Sequence, residues 1–387
     1  MSFKIARRAM VPPFIVMDVM RDAAALEAAG RSIIHLEVGQ PSTGIPKAAA
    51  DQVALLLGQE PLGYTVASGL PRLSQRIARH YQDTYGVAVA PERVFATTGS
   101  SGGFVLAFLA AFEAGDRVAL AAPGYPAYRH ILTSLGVVPE LIEVDAGTRY
   151  QPTVDHLKKM IKLPGGLPDG LIVGSPANPT GTVIPPDEFN ALAVFCDTHG
   201  VRLMSDEIYH GITYGMTATT AAGVSESAIV VNSFSKYFSM TGWRLGWLVV
   251  PPDLMRPLEC LAQNLFISPP TVSQMAGIAV QECKEELEAN VARYGQNREV
   301  LLRRLPESGF EKFAPADGAF YIYADVSSFG EGSAALCARM LHQAGVAATP
   351  GIDFDPFKGD RFVRFSFAGS TADMEEACDR LAAWRKK

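Results

Sequence analysis

The chain has 387 residues, of which 48% are hydrophobic and 19% charged, and its formal net charge is −6. This composition excludes a disordered chain, and the length predicts two or three domains, or one large α/β unit with a smaller companion. The acidic balance argues against a protein that binds nucleic acid or an anionic membrane over a broad surface.

Short apolar runs alternate with helical patterns between residues 90 and 250. Most runs are apolar on both faces, which is typical of parallel strands covered by helices on both sides. We therefore expect an α/β fold with a mainly parallel, doubly wound sheet. The predicted strands are 93–98, 117–123, 169–176, 201–207, 227–235 and 244–251, and the helices between them are 101–113, 125–136, 153–163 and 186–198.

The pattern changes after Pro251. A helix from about residue 253 leads into a long helical run that ends near Leu305, and an α+β segment follows with strands at 318–326 and 361–368 and helices at 333–343 and 371–385. The first 45 residues do not fit the central sheet. We assign residues 46–285 to a large domain, and residues 1–45 and 286–387 to a small α+β domain packed tightly against it.

Two bulk features bear on the location of the protein. The longest strongly apolar run, residues 102–112, is shorter than the ~20 residues that a membrane span needs. The five cysteines are scattered and form no C-x-x-C pair, which is typical of a reducing compartment. We expect a cytoplasmic protein.

Polar residues follow two of the predicted strands. The segment TTGSSGG (97–103) brings Ser100 and Ser101 to the start of a helix, where backbone N–H groups bind anions or where the serines simply cap the helix. It matches neither the Walker A loop nor G-x-G-x-x-G, so a nucleotide site is not supported. Tyr125, in APGYPAY (121–127), stacks on a flat ligand or packs in a turn.

Two further strands end in polar residues that suit a ring ligand. Asn178 in GSPANPTG (174–181) donates to a ligand oxygen or serves turn chemistry. Asp206 in SDEIYHG (205–211) ends an apolar strand, so its carboxylate needs a partner, either a proton on a ring nitrogen or the next turn. Tyr209 faces the same ligand in the first interpretation. His210 has no partner with metal-ligand spacing, and we predict no metal site.

The segment NSFSKYFSMTGWRLGW (232–247) places Ser233, Ser235 and Lys236 just past a strand and Arg244 at the start of the next. Desolvation and a nearby cation lower the pKa of a lysine, which makes its amine nucleophilic toward an aldehyde. Serine hydroxyls and an arginine fork suit a phosphate. In RFVRFSFA (361–368), the odd spacing puts Arg361 and Arg364 on opposite faces, and Arg364 suits a substrate carboxylate or a structural salt bridge.

These motifs, in this order, resemble the class I/II aminotransferases, fold type I enzymes that use pyridoxal 5′-phosphate (PLP), and in particular their aspartate-aminotransferase-like subgroup. The strongest match is S-x-S-K-x-x-x-M-T-G-W-R, from Ser233 to Arg244. The resemblance extends from residue 36 to the end of FVRFSFA. It covers nearly the whole chain, through GYTVASG (63–69), PGYP (123–126), NPTG (178–181) and DEIY (206–209).

The resemblance implies a role for each ring-facing residue. Lys236 forms the internal aldimine with PLP and then moves the proton from the Cα of the amino acid. Asp206 keeps the pyridinium nitrogen protonated, so that the ring withdraws electrons. Tyr209 and Asn178 hydrogen-bond the ring hydroxyl oxygen, and Tyr125 stacks on the ring.

The resemblance also implies how the phosphate, the substrate and a second chain are bound. Arg364 clamps the α-carboxylate of the substrate, and Gly39, in VGQP, lines the substrate side. Tyr64 reaches the phosphate of a neighbouring subunit, which implies a homodimer with shared sites and a small domain that closes over each site. The phosphate itself is held by Ser100, Ser101, Ser233, Ser235 and Arg244.

The chain departs from its relatives at two positions. Some aspartate aminotransferases have a lysine in a GGK triplet that contacts the distal carboxylate, whereas Ser101 ends the matching GSS triplet here, so dicarboxylate preference is not implied. Ser74 follows Leu73 where relatives often have arginine, with little expected consequence. Hydrophobic residues near the expected entrance indicate apolar or aromatic substrates, or else belong to the core: Phe14, Ile15, Val16, Phe266 and Phe320.

The leading hypothesis is ping-pong transamination between an L-α-amino acid and a 2-oxo acid. A PLP-dependent β-C–S lyase of the same fold shares the lysine and the phosphate site and stays as the alternative. A non-catalytic ligand-sensing regulator needs an added DNA-binding module, for which the N-terminal ~30 residues are too short. The amino donor and the oxo-acid acceptor are left open.

Overall fold

The computed structural model describes residues 3–59 and 61–386. Within them the strands follow the apolar runs of the sequence, shortened by one or two residues at most ends. In chain order they are β1 (Ile34–His35), β2 (Val94–Thr97), β3 (Arg117–Ala122), β4 (Val138–Glu143), β5 (Gly170–Gly174), β6 (Arg202–Asp206), β7 (Ile229–Ser233), β8 (Gly246–Val249), β9 (Lys312–Phe313), β10 (Tyr321–Asp325), β11 (Val346–Ala347), β12 (Thr349–Pro350) and β13 (Phe362–Ser366).

The helices begin and end where local chemistry favours it. Four begin with proline, which loses no hydrogen bond there because the first N–H groups of a helix have no helical acceptor. Three end at a glycine with positive φ: Gly86, Gly136 and Gly200. In chain order they are α1 (Ile15–Ala28), α2 (Lys47–Leu57), α3 (Pro71–Tyr85), α4 (Gly99–Ala111), α5 (Pro126–Leu135), α6 (Val154–Ile161), α7 (Pro186–His199), α8 (Pro252–Leu265), α9 (Thr271–Val280), α10 (Lys284–Arg304), α11 (Ser333–Arg339) and α12 (Thr371–Arg385).

Seven strands of the described chain form one large sheet in the order β2-β8-β7-β6-β5-β3-β4. The pairs from β7 to β4 are parallel, and β8 runs antiparallel to both β7 and β2. Successive residues of β5 enter different cores: Leu171 and Val173 join one buried cluster, and Ile172 joins the other. Both faces are therefore covered, and the predicted mainly parallel, doubly wound α/β fold is confirmed.

A smaller antiparallel sheet in the order β12-β13-β10-β9 follows in the C-terminal part. The N-terminal segment pairs with the C-terminal part in a separate two-stranded sheet, in which β1 runs parallel to β11 with Ile34 opposite Val346. A third buried cluster, from Ile34 to Trp384, contains residues of both segments. This packing supports the grouping of residues 1–45 with 286–387, while the boundaries themselves stay predictions.

Some elements differ from the predicted ones. The edge strand β4 carries Pro139 and Glu140, so it has no continuous apolar run to detect. The long helical run before Leu305 is broken at residues 281–283, and α10 restarts with Glu285 and Glu286 in its first turn, where acidic side chains are favoured. The helix predicted at 333–343 ends at Arg339 and continues as a π-helical turn. Helices α1, α2 and α3 lack a predicted counterpart.

Within residues 3–59 and 61–386, no helix is long and apolar enough to cross a membrane.

Candidate active site

Polar side chains from several elements meet where the parallel strands end. They line a cavity of about 590 Å³, within the range of roughly 300–1,000 Å³ for small-molecule sites. Two of the predicted site residues, Ser233 and Tyr64, lie elsewhere. The predicted residues that line the cavity are Gly39, Ser100, Ser101, Tyr125, Asn178, Asp206, Tyr209, Ser235, Lys236, Arg244 and Arg364.

Asp206 is the last residue of β6 and is 5% exposed. Its Oδ1 accepts the N–H of Ile208 at 3.1 Å, and its Oδ2 accepts the hydroxyl of Tyr128. Burial raises the pKa of this carboxyl to about 6, while the two hydrogen bonds and the Lys236 amine act in the opposite direction. The carboxylate thus caps the next turn and still faces the cavity, where it can stabilise a proton on a ligand nitrogen.

Lys236 follows the end of β7 and extends its amine into the cavity. The Nζ atom donates to the carbonyl of Gly39 at 2.6 Å and lies 5.9 Å from the ring centre of Tyr209. Burial, the largest effect, and then the charges of Arg364 and Arg244 lower the pKa of Lys236 to about 8, while Asp206 acts in the opposite direction. About a tenth of the amine is therefore unprotonated at pH 7, against about 0.03% for an unperturbed lysine, and the unprotonated amine is the nucleophilic form.

One end of the cavity suits an anion. Ser100 and Ser101 lie in the first turn of α4, where backbone N–H groups lack helical acceptors and the dipole favours negative charge. Gly99 has a φ of +77°, and a Cβ there would overlap the guanidinium of Arg244. Only glycine lets Arg244 lie against the start of this helix. Ser235 lines the same cavity.

Ser233 is 1% exposed and serves the loop rather than the cavity wall. Its hydroxyl accepts the N–H of Ser235 at 3.1 Å and lies 3.1 Å from the carbonyl oxygen of Leu245. It thereby ties the end of β7 to the residue before β8, and so positions Ser235 and Arg244.

Tyr64 is 85% exposed and lies outside the cavity of its own chain. The neighbouring Gly63 carbonyl accepts the hydroxyl of Thr271 at 2.6 Å, which fixes this segment against α9. The side chain is thus presented outward, where a second chain can meet it.

Arg364, on β13, is 2% exposed and held on several sides. It donates to Asn178 Oδ1 at 2.8 Å and to Thr349 Oγ1 at 3.2 Å, and also to the carbonyl of Glu37. Its guanidinium lies 4.4 Å from the ring centre of Tyr321. The fork is oriented before any ligand arrives, which suits recognition of a carboxylate.

Arg361 provides the contrast that the odd spacing predicts. It precedes β13, its side chain is 58% exposed, and it pairs with Asp325 at 3.4 Å. Of the two arginines in this segment, Arg364 is the one that lines the cavity.

Two tyrosines of the site lie outside the sequence prediction. Tyr128 donates to Asp206, and it follows Tyr125 by one helical turn, so the helical period could have placed both on one side of α5. The Tyr321 hydroxyl lies 2.6 Å from that of Tyr209 and fills the space that a Cβ on Gly39 would need. Its sequence context, an apolar strand, carries no such signal.

Tyr125 itself occupies the N-cap position of α5, without a side-chain capping hydrogen bond, and packs edge-on between aromatic rings. Its ring centre lies 5.8 Å from that of Phe14 and 5.2 Å from that of Tyr128. Of the hydrophobic residues expected near the entrance, Phe14 and Val16 line the cavity, whereas Phe266 does not. Phe320 is buried behind the lining, with its ring centre 5.9 Å from Lys236 Nζ. Ile15 also lies outside the lining.

His210 has a structural environment. Its Nε2 bonds the carbonyl of Ser175 at 3.0 Å, its Nδ1 bonds the hydroxyl of Tyr85 at 2.9 Å, and burial lowers its pKa to about 3. The imidazole is therefore neutral, and its approach to Glu207 at 3.5 Å is not an ion pair. The described residues contain no cluster of three metal-ligating side chains.

Comparisons with known proteins agree along the whole chain. A family model described as aminotransferase class I and II matches residues 31–381. The chain is 50% identical to a valine–pyruvate aminotransferase of Mycobacterium tuberculosis over 390 aligned positions, 99% of each protein. It superposes on a solved aminotransferase from Mycobacterium tuberculosis with a TM-score of 0.96 at 49% identity, over 100% of both chains.

A more distant structure shows the same fold. The aspartate aminotransferase of Thermus thermophilus, solved with maleate, matches with a TM-score of 0.92 at 28% identity. The match covers 99% of this chain and 100% of the other.

Proposed function

Because the chain belongs to the aminotransferase class I and II family, we propose that it moves the amino group of an apolar L-α-amino acid to a 2-oxo acid in a ping-pong reaction that uses PLP. The chain is an aminotransferase, because a family model and a 50% identical aminotransferase match it over nearly its full length. The observation that supports the cofactor and the mechanism is the meeting of Lys236, Asp206 and Arg364 in one cavity.

The donor set of the cavity fits PLP from end to end. The first turn of α4, with Ser100, Ser101 and Arg244, offers N–H groups and a cation to the phosphate. Asp206 offers a buried carboxylate to the pyridine nitrogen. When bound, PLP supplies an aldehyde that reacts with amines and a protonated ring that withdraws electrons.

The protein supplies positioning and proton transfer. Arg364 binds the α-carboxylate of the amino acid and so presents its Cα toward Lys236. The Lys236 amine, with its lowered pKa, removes the proton from Cα as a general base. Asp206 would hold the proton on the ring nitrogen of PLP, and Tyr209 and Asn178 would offer hydrogen bonds to its ring hydroxyl group.

The apolar wall of the cavity supports an apolar amino donor. The start of α1 contributes Phe14, Val16 and Met17 to this wall. The cations among the described lining residues are Lys236, Arg244 and Arg364, each with a role already, and Ser101 adds no charge. A branched apolar donor with pyruvate as acceptor also agrees with the name of the relative at 50% identity, a valine–pyruvate aminotransferase.

A panel of amino donors tests this function. Purified protein supplied with PLP and pyruvate should form alanine from L-valine faster than from L-aspartate at equal donor concentration. Omission of pyruvate should stop turnover after one equivalent, because the amino group then has no acceptor. Sustained pyruvate and ammonia from a β-substituted thiol amino acid without any acceptor would instead favour the lyase.

A homodimer with shared sites is the assembly that the surface supports. Four apolar or aromatic side chains in this region are at least 50% exposed: Tyr64, Val66, Leu265 and Ile267. The segment of Tyr64 lies beside α9, and Leu265 and Ile267 come just before α9 in the chain. Exposed apolar groups of this kind mark association surfaces, and Tyr64 of one chain would reach the phosphate end of the other. Sedimentation should give twice the chain mass; a monomer at micromolar concentration would rule out shared sites.

The cytoplasmic location stays a proposal. It is supported by the free cysteines of the described chain, three of them buried, which need no oxidising compartment.

A further inference from the structure

Helix α1 carries the apolar wall of the cavity but has no cap of its own. Its N-cap residue is Phe14, whose side chain has no acceptor for the free backbone N–H groups of the first turn. A helix start without an acceptor is destabilised, and an uncapped α1 would leave Val16 and Met17 poorly placed.

The missing cap comes from the opposite end of the chain. Asp353 Oδ1 accepts the N–H of Ile15 at 3.1 Å, and Oδ2 accepts the N–H of Val16 at 3.3 Å. The carboxylate is 2% exposed. Both oxygens are therefore spent on the first two N–H groups of a helix more than three hundred residues away in sequence.

The segment that carries Asp353 also supports the substrate clamp. Thr349 accepts from Arg364 at 3.2 Å, and the ring of Phe354 lies 4.7 Å from the same guanidinium. The carbonyl of Asp353 accepts from Arg129 of α5 at 2.6 Å. One short segment, residues 349–354, thus fixes the carboxylate clamp and the apolar wall relative to each other.

We propose that Asp353 is a positioning residue for donor selection, whose carboxylate fixes the start of α1 so that its apolar side chains meet the side chain of the amino donor. The inference rests on the proposed function, since it assigns the wall of α1 to the donor side chain. Asp353 does not touch the reacting atoms, so its removal changes which donor binds well rather than the proton transfer.

The kinetic test compares Asp353→Asn with the parent holoenzyme. The amide keeps the shape but puts an N–H donor in place of one acceptor, so the KM for L-valine should rise by about fivefold, as expected for one lost helix cap. The kcat and the KM for L-alanine, which presents a single methyl group, should change by less than about twofold. Asp353→Ala, which removes both acceptors and adds no donor, should raise the KM for L-valine at least as much and keeps the proposal testable if Asp353→Asn does not fold.

The matched control is Asp373→Asn. Asp373 belongs to the capping box of α12, is not part of the cavity lining, and accepts the N–H of Ser370 at 3.3 Å. This variant removes the same charge from another helix start and should leave the ratio of the two KM values unchanged. A parallel rise for valine and alanine in Asp353→Asn, or the same change in Asp373→Asn, would overturn the proposal.

Hydrogen exchange tests the proposal without any amino-acid substrate. The N–H groups of Ile15 and Val16 have Asp353 as their acceptor, so Asp353→Asn should accelerate their exchange about tenfold or more while the interior of α1 changes little. Unchanged exchange would show that Asp353 does not hold the start of α1, even if the enzyme prefers valine. Accelerated exchange in an enzyme that prefers a dicarboxylate would support the role of Asp353 at α1 and overturn the proposed donor class.

Discussion

Lys236→Ala is expected to reduce the turnover number by on the order of 10⁴-fold or more, because it removes the nucleophilic amine and the general base together. The variant should still bind PLP, since Asp206 and the start of α4 are untouched. A small primary amine added to the solution should restore part of the activity if the role is proton transfer. Steady-state rates with a saturating donor measure both effects.

Lys47→Ala is the matched control, because Lys47 is exposed and pairs with Asp51 on α2. It should leave the rate unchanged. Near-parental activity in Lys236→Ala would refute the mechanism.

The same amine predicts a pH dependence. Because the pKa of Lys236 is lowered from 10.5 to about 8, half of the amine is free at pH 8, against about 0.3% for an unperturbed lysine. Reductive labelling of the cofactor-free protein by a small aldehyde should therefore rise with pH through a midpoint near 8. A midpoint near 10 would show that burial and the two arginines do not lower the pKa as described.

Arg364→Gln should lower kcat/KM for the amino donor by roughly 10²–10³-fold, mainly through KM. The substrate carboxylate loses a charge-assisted, two-pronged partner in a buried site, a loss of about 3–4 kcal/mol. Arg364→Lys should recover only part of it, because an ammonium group lacks the planar fork. Initial rates at varied donor concentration separate KM from kcat.

Arg361→Gln is the matched control in the same segment. Its side chain is mostly exposed and pairs with Asp325, and such surface pairs contribute about 0–1 kcal/mol. It should leave KM within about twofold of the parent. If the two variants behaved alike, Arg364 would not be the carboxylate clamp.

Local patterns predict the large sheet because its strands are apolar on both faces. They also indicate which residues stand at strand ends, and Lys236, Asp206 and Asn178 lie together for that reason. Strand β4 could not be predicted from the pattern, because this edge strand contains Pro139 and two glutamates and has no apolar run. In α1 only Val16 and Ala23 are buried, too few to define a face, whereas the buried Leu73, Ile77 and Tyr81 of α3 recur at helical spacing and could have predicted that helix.

Contacts across the chain could not be predicted from any local pattern. Tyr128 reaches Asp206 only because α5 and β6 are packed together. Asp353 caps α1 across 338 positions of sequence. Both are hydrogen bonds to groups that burial has deprived of water, and burial is a property of the fold rather than of the neighbouring residues.

The reversed strand β8 determines where the loop after Lys236 must return. β7 ends at Ser233 and β8 begins at Gly246, opposite it in register, so residues 234–245 leave and re-enter the sheet at the same edge. A parallel strand in the place of β8 would begin at the opposite end of the strands, about 13 Å away along a strand of four residues at about 3.3 Å each. Lys236 and Arg244 therefore belong to one continuous connection between two paired strand ends. A graft of β7, this connection and β8 into a related sheet should transfer both groups with their spacing intact.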